Sequence, residues 1–270
     1  MAVARNGRVA LRYHDLGAPG GAPVLHIMGL GGSARAWARL LPHVTPDYRV
    51  LTFDHRGTGL SDPITRPVSM GDLVGDALAV LDAARVESAH VHGVSLGGMV
   101  AQHLALRHPE RVRSLILGCT TPGGIVISNE PPWRLLAAAG LRPVLGAERT
   151  WPMVSTALYS RRTREEFPHL IAEDDAVRLD DATSPVTVAA QMLAVARHDT
   201  RRRLHELEGL PVTVVHGTED VLIPPRAGRA LAQRIPGARL VLLEDAGHLL
   251  GTDAGDAWGA AVREHLAAAA

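Results

Sequence analysis

The sequence predicts an α/β fold built on a parallel sheet. Apolar, β-branched runs that end in turn residues recur along the chain, helical patterns stand between them, and one long stretch in the second half carries no strand signal. The strand runs are Val24 to Met28, Arg49 to Phe53, Ala89 to His92, Ser114 to Leu117, Val212 to Val215 and Arg239 to Leu243. Between them, Asp72 to Ala84 and Leu96 to Arg107 repeat apolar residues at three- and four-residue steps, the period of a helix with one buried face. Strands alternating with helices imply a mostly parallel sheet covered on both sides.

The alternation breaks between about Thr121 and His205, where arginines, prolines and apolar helical stretches dominate. The reading is therefore a core formed by residues 1–121 and 206–270, with a helical lid inserted over 122–205. Entered after one core strand and left before the next, such an insertion lies over the carboxyl edge of the sheet, where open α/β folds bind ligands. The alanine-rich tail from Ala260 to Ala270 reads as a final helix.

Composition narrows the function classes. Of 270 residues, 46% are hydrophobic, enough for one well-filled core, and Lys plus Arg equal Asp plus Glu, so the formal net charge is zero. That balance argues against nucleic acid or an anionic membrane as partner and leaves a small-molecule substrate. Cys119 is the single cysteine, which excludes an intramolecular disulfide and suits a reducing cytoplasm. The opening MAVARNGRVALRYHD lacks the charged and apolar regions of a signal peptide. The expectation is a soluble cytoplasmic protein, monomeric or weakly dimeric.

The chemistry is carried first by His92-Gly93-Val94-Ser95-Leu96-Gly97-Gly98, directly after a predicted strand and before a predicted helix. Gly-x-Ser-x-Gly in that context is the signature of a nucleophilic serine on a strained turn. Gly93 and Gly97 remove side chains that would crowd the serine, and the unpaired N–H of Leu96 at the helix N-terminus is a candidate oxyanion donor. A serine hydroxyl needs a base, and the base needs a group that fixes its tautomer. Asp220 follows the strand Val212 to Val215, and His248 follows Arg239 to Leu243, so serine, acid and histidine occupy three loops at one sheet edge. Glu219 and Asp245 are rivals for the acid.

These residues resemble the α/β-hydrolase family over nearly the whole chain. The elbow matches Gly93 to Gly97, the acid loop Gly217 to Pro224, the histidine loop Ala246 to His248, and Phe53 to Asp62 resembles the loop after the family's preceding strand. The resemblance implies an eight-stranded, mostly parallel sheet, a helical lid after the sixth strand, a Ser95–His248–Asp220 triad, and neither metal nor organic cofactor. It also implies a second oxyanion donor at Leu30, in the loop Gly29-Leu30-Gly31-Gly32-Ser33, where Met28 stands in place of the family's usual histidine. The run from Asp54 to Pro122 most resembles enol-lactonase-like hydrolases and polyketide methylesterases.

The leading functional expectation is ester or lactone hydrolysis through an acyl-enzyme. Carbon–carbon bond hydrolysis, peptide hydrolysis, perhydrolysis, non-hydrolytic cyclase or acyltransferase chemistry, and a non-catalytic receptor use the same scaffold and stay open. Other polar clusters read as structural: Asp54-His55-Arg56 as a turn pinned by a carboxylate–guanidinium pair, His198-Asp199 as a fastening between lid and core, and Cys119 as a small buried hydrophobe. Trp133, Trp151, Met153, Tyr159 and Met192 line a substrate pocket or pack the lid.

Overall fold

A single eight-stranded sheet organises the protein, with strand order β1-β2-β4-β3-β5-β6-β7-β8. The computed structural model describes residues 1–123, 154–181 and 183–270. β1 (Ala2–Asn6) and β2 (Val9–Gly17) form an antiparallel hairpin at one edge, and β2 also runs antiparallel to β4 (Arg49–Phe53). From there the sheet is parallel through β3 (Pro23–Ile27), β5 (Ala89–Val94), β6 (Val112–Gly118), β7 (Val212–Gly217) and β8 (Arg239–Leu243).

The period-two geometry of the strands splits the core into two layers. Leu25, Ile27, Leu51, Phe53, Leu115 and Leu117 face one layer, while Val24, Val50 and Ile116 face the other. The first layer is closed by α2 (Met70–Ala83) and α3 (Leu96–Arg107). In α2 the buried positions Leu73, Ala77, Val80 and Leu81 follow helical spacing, and Ser69 and Asp72 complete a capping box at its start. The second layer holds Trp37, α1 (Leu41–Val44) and α8 (Leu250–Ala268), whose Trp258, Val262 and Leu266 form a stripe at four-residue steps. α8 begins ten residues before the Ala260 that opens the alanine-rich tail. Glycines and aspartates, together with a kink at Ala254, mask its first turns.

The N-terminal hairpin has no counterpart in the strand runs read from the sequence. Its residues are mostly exposed or half-exposed and mix polar with apolar types, so it lacks a continuous apolar run, and its clearest mark is the tight turn at Asn6-Gly7, where Gly7 takes φ +60°.

Between β6 and β7 the described chain is helical: α4 (Arg161–Glu166), α5 (Pro168–Asp180) and α6 (Pro185–Ala196). The two ends of this insertion are tied to each other and to α3. Gly123 bridges Asp199, Thr200 N–H donates to Pro122 O at 2.8 Å, and Thr200 Oγ1 donates to Gln102 Oε1 at 2.6 Å. His198 uses Nε2 on Thr121 O at 2.9 Å and meets His103 of α3 at 3.1 Å. His198 and Asp199 thus fasten insertion to core. α7 (Pro225–Arg234) follows β7. Among the described residues no helix is long and apolar enough to cross a membrane.

Candidate active site

Ser95 stands between β5 and α3 with φ +53° and ψ −120°, a conformation in which a non-glycine residue is strained. The surroundings enforce it. Ser95 N–H donates to Gly118 O at 2.9 Å, and Thr120 Oγ1 donates to Ser95 O at 2.7 Å. A Cβ on Gly93 would run into the Gly97 carbonyl, and one on Gly97 into the carbonyls of Ile27 and Met28. Both glycines are therefore required by close backbone approach, as the motif implies.

Asp220 and His248 meet in the neighbouring loops. His248 Nδ1 lies 2.8 Å from Asp220 Oδ2, with Asp220 2% and His248 9% exposed. Leu222 and Ile223 N–H donate to Asp220 Oδ1 at 3.0 and 2.8 Å, and His216 Nε2 approaches Oδ2 at 3.4 Å. Burial works to raise this carboxyl, but the charge of His248 and hydrogen bonds from His216 and His248 overcome it and hold Asp220 well below the usual carboxylate range. An ionised acid beside Nδ1 keeps the proton there and leaves Nε2 as the basic nitrogen. The rivals are engaged elsewhere or face water: Glu219 Oε2 accepts from Arg161 N–H at 2.8 Å, and Asp245 is an exposed residue at φ +53°.

Cys119 links the two halves of the site. It follows Gly118, and its Sγ lies within 4.8 Å of ligand-capable atoms of both Asp220 and His248. Burial, and then the Asp220 charge, push the thiol well above its ordinary pKa, so it stays protonated and is a poor metal ligand. Three such groups could in principle grip a cation, but Asp220 is already committed to His248 and two backbone N–H groups. Among the described residues no hydrogen bond joins Ser95 Oγ to His248.

The loop after β3 lies against the serine. A Cβ on Gly29 would sit 3.2 Å from Ser95 Cβ and 3.8 Å from Ser95 Oγ. Within the described residues neither the Leu30 nor the Leu96 N–H has a hydrogen-bond acceptor, so both are free to meet a developing negative charge. The loop's base is braced by His55, whose Nε2 lies 2.9 Å from Met28 O; burial lowers the imidazole pKa, so the ring is neutral and Nε2 carries the donated hydrogen.

Asp54-His55-Arg56 is thus a structural cluster, with one correction: the carboxylate partner of Arg56 is Asp76 of α2. Arg56 Nε and Nη2 contact its two oxygens at 2.6 and 2.5 Å, whereas Asp54 accepts from Ala34 and Leu60 N–H.

The insertion reaches the histidine loop as well. Leu158 O accepts from His248 N–H at 2.9 Å and from Leu249 N–H at 3.1 Å, and Asp253 Oδ2 accepts from Gly247 N–H at 2.7 Å and Ser160 N–H at 3.0 Å. Burial raises the Asp253 carboxyl. Of the residues expected to line a pocket or pack the insertion, Tyr159 packs: it is 2% exposed, with its hydroxyl 3.0 Å from Asp174 Oδ2 and from Arg178 Nη1. Met192 is 39% exposed on α6, and Trp133, Trp151 and Met153 lie outside the described residues. Sequence reasoning gave no role to His216 or Asp253 and assigned His55 only to its turn. His216 could have been found from its place at the end of β7, but Asp253 has no local signal.

Comparison with known proteins shows the family. The profile of the α/β-hydrolase fold matches residues 22–254. The chain is an α/β-hydrolase. This hydrolase is 31% identical over 251 residues to a protein of Azorhizobium caulinodans named carbamate hydrolase RutD, covering 92% of this chain and 91% of the other. It is 30% identical to rhodomycin D methylesterase DnrP of Streptomyces peucetius, covering 98% and 97%. Its fold superposes on the enol-lactonase of Burkholderia xenovorans LB400 with a TM-score of 0.87 at 27% identity, covering 98% of this chain and all of that one.

Proposed function

We propose that this α/β-hydrolase cleaves a carboxylic ester or lactone of a small apolar substrate through an acyl-enzyme. The observation that carries the reading is the 2.8 Å contact of His248 with buried Asp220, in loops beside the strained elbow that presents Ser95. Ser95 Oγ attacks the carbonyl carbon as His248 Nε2 takes its proton. The N–H groups of Leu30 and Leu96 hold the oxyanion, and His248 returns the proton to the leaving alkoxide. Water then repeats the sequence on the acyl-enzyme and releases the acid and Ser95. Contacts between serine and histidine that are open without substrate commonly close in the complex. The insertion acts as the lid, and the cytoplasm suits a chain whose lone cysteine is a protonated, buried thiol.

The methylesterase and enol-lactonase relatives support ester and lactone substrates. Similarity to the carbamate hydrolase favours a second reading, cleavage of a carbamate by the same steps. Turnover of methyl esters, lactones and carbamates by the purified protein separates the two. Ser95→Ala should abolish turnover of activated esters and labelling by a fluorophosphonate; unchanged turnover would refute the nucleophile.

A further inference from the structure

The loop that carries the Leu30 N–H is gripped at its far end by the insertion. Gly31 N–H donates to Gln191 Oε1 of α6 at 2.8 Å, and Gly31 O accepts from Thr183 Oγ1 at 2.8 Å. Both polar groups of one residue are thus held from a segment about 150 residues away. Gly31 itself takes φ +69°, and Gly32 N–H closes the turn on Gly29 O at 3.2 Å. Gly29 in turn lies against Ser95, so a small change of the Gly31 peptide moves the backbone beside the nucleophile.

Gln191 is fully buried, and its Nε2 has no acceptor among the described residues. The orientation of the amide is fixed by its partner, because a backbone N–H can only be met by the oxygen. A side chain present only to fill the interface between insertion and core would be apolar here. An amide that leaves its NH2 buried and unpartnered is disfavoured, so what accounts for it at this position is the bond to Gly31.

We propose that Gln191 is a positioning residue which, from the insertion, sets the Gly29–Gly31 loop so that the Leu30 N–H faces the reacting oxygen. This rests on the ester-hydrolase reading above. Docking of the insertion and assembly of the oxyanion site are then one event, because the same contacts that seat α6 shape the loop. The hold at Gly31 complements the brace of His55 on Met28, one from the insertion and one from the core.

The test compares the wild type with Gln191→Met, which keeps length and removes the acceptor, and with Leu193→Gln on the more exposed face of the same helix as control. With p-nitrophenyl acetate, Gln191→Met should lower kcat about 10- to 100-fold, below the loss for deleting an oxyanion donor outright, with KM changed less than about twofold. Affinity for a trifluoromethyl ketone, which forms an oxyanion adduct on Ser95, should fall by the same factor, because only transition-state interactions are lost. A merely structural role would lower the melting temperature without this correlation. Thr183→Val, which removes the other bond to Gly31, should give a smaller loss with the same correlation and serves if Gln191→Met does not fold. Ser95-dependent turnover that is unaltered in both variants overturns this inference alone. Turnover that survives Ser95→Ala overturns the hydrolase reading and this inference together.

Discussion

Ser95 and His248 are held in different ways. Among the described residues Ser95 is fixed by the core: its strained backbone follows from two glycines, the Gly118 carbonyl of the adjacent strand and the Thr120 hydroxyl. His248 takes its acid partner from a core loop, but its own backbone N–H donates to Leu158 of the insertion, and the Gly247 N–H beside it shares Asp253 with Ser160. The loop carrying Leu30 follows the second pattern. The contrast separates a serine built into the sheet from a histidine and a Gly-rich loop that the insertion also holds.

Acid should break both arrangements at once. Burial lowers the pKa of His26 to about 3, His103 to about 3 and His265 to about 4, and lowers those of His55, His90, His92 and His198 as well. Each imidazole is neutral when folded and takes a proton near pH 6.5 when unfolded. Stability is therefore whole above pH 6.5 and falls as pH drops towards 4, because only the unfolded chain binds the protons. For the first three histidines the loss amounts to roughly 10 kcal/mol by pH 4, comparable to the whole stability of a domain. Denaturant titrations followed by circular dichroism across pH 7 to 4 measure it, and a flat profile would contradict the burial.

Asp220→Asn tests the core side of the dyad. The amide preserves the packing but stabilises the wrong imidazole tautomer, so kcat should fall about 10⁴-fold, as in a protease with a Ser-His-Asp triad, with the fold retained by circular dichroism. Asp76→Ala tests the core away from the chemistry. It leaves the guanidinium of Arg56, which is 4% exposed, with the Asp72 carboxylate at 3.7 Å as its remaining charged partner, and should cost about 3 kcal/mol in urea unfolding. kcat of the remaining folded protein should stay near that of the wild type. Asp253→Asn probes the insertion side: the neutral amide oxygen accepts from the Gly247 and Ser160 N–H groups more weakly than the carboxylate oxygen that now holds both. A small displacement of His248 should lower kcat about 10-fold, with little change in KM. An equal effect of Asp76→Ala and Asp253→Asn on kcat would dissolve the distinction between the two regions.

The central parallel strands were legible because they are buried on both faces and read as apolar runs; β4 and β8 have the bounds their sequence suggests, β8 because it keeps an apolar run at a partly exposed edge. The edge hairpin was not, since polar residues interrupt the apolar ones in both of its strands. Ser95, Asp220 and His248 were legible because each sits in a short motif at a strand's carboxyl end, where local backbone geometry demands particular residues. The polar layer beneath the sheet was hidden: His26 and His92 occupy positions that read as strand interior, and only the fold brings them against Trp37 and Trp258.

By itself the sequence determined the strand and helix order, the elbow and the three loops that carry the candidate site, because these depend on side-chain period and turn chemistry within a few residues. Only the tertiary structure decided that Arg56 pairs with Asp76, that His55 braces Met28, and that Gln191, Leu158 and Asp253 hold the two remaining loops. Apart from the local Asp253–Gly247 bond, those contacts join groups 20 or more residues apart, and a hydrogen bond across such a distance leaves no periodic trace in either partner's own neighbourhood.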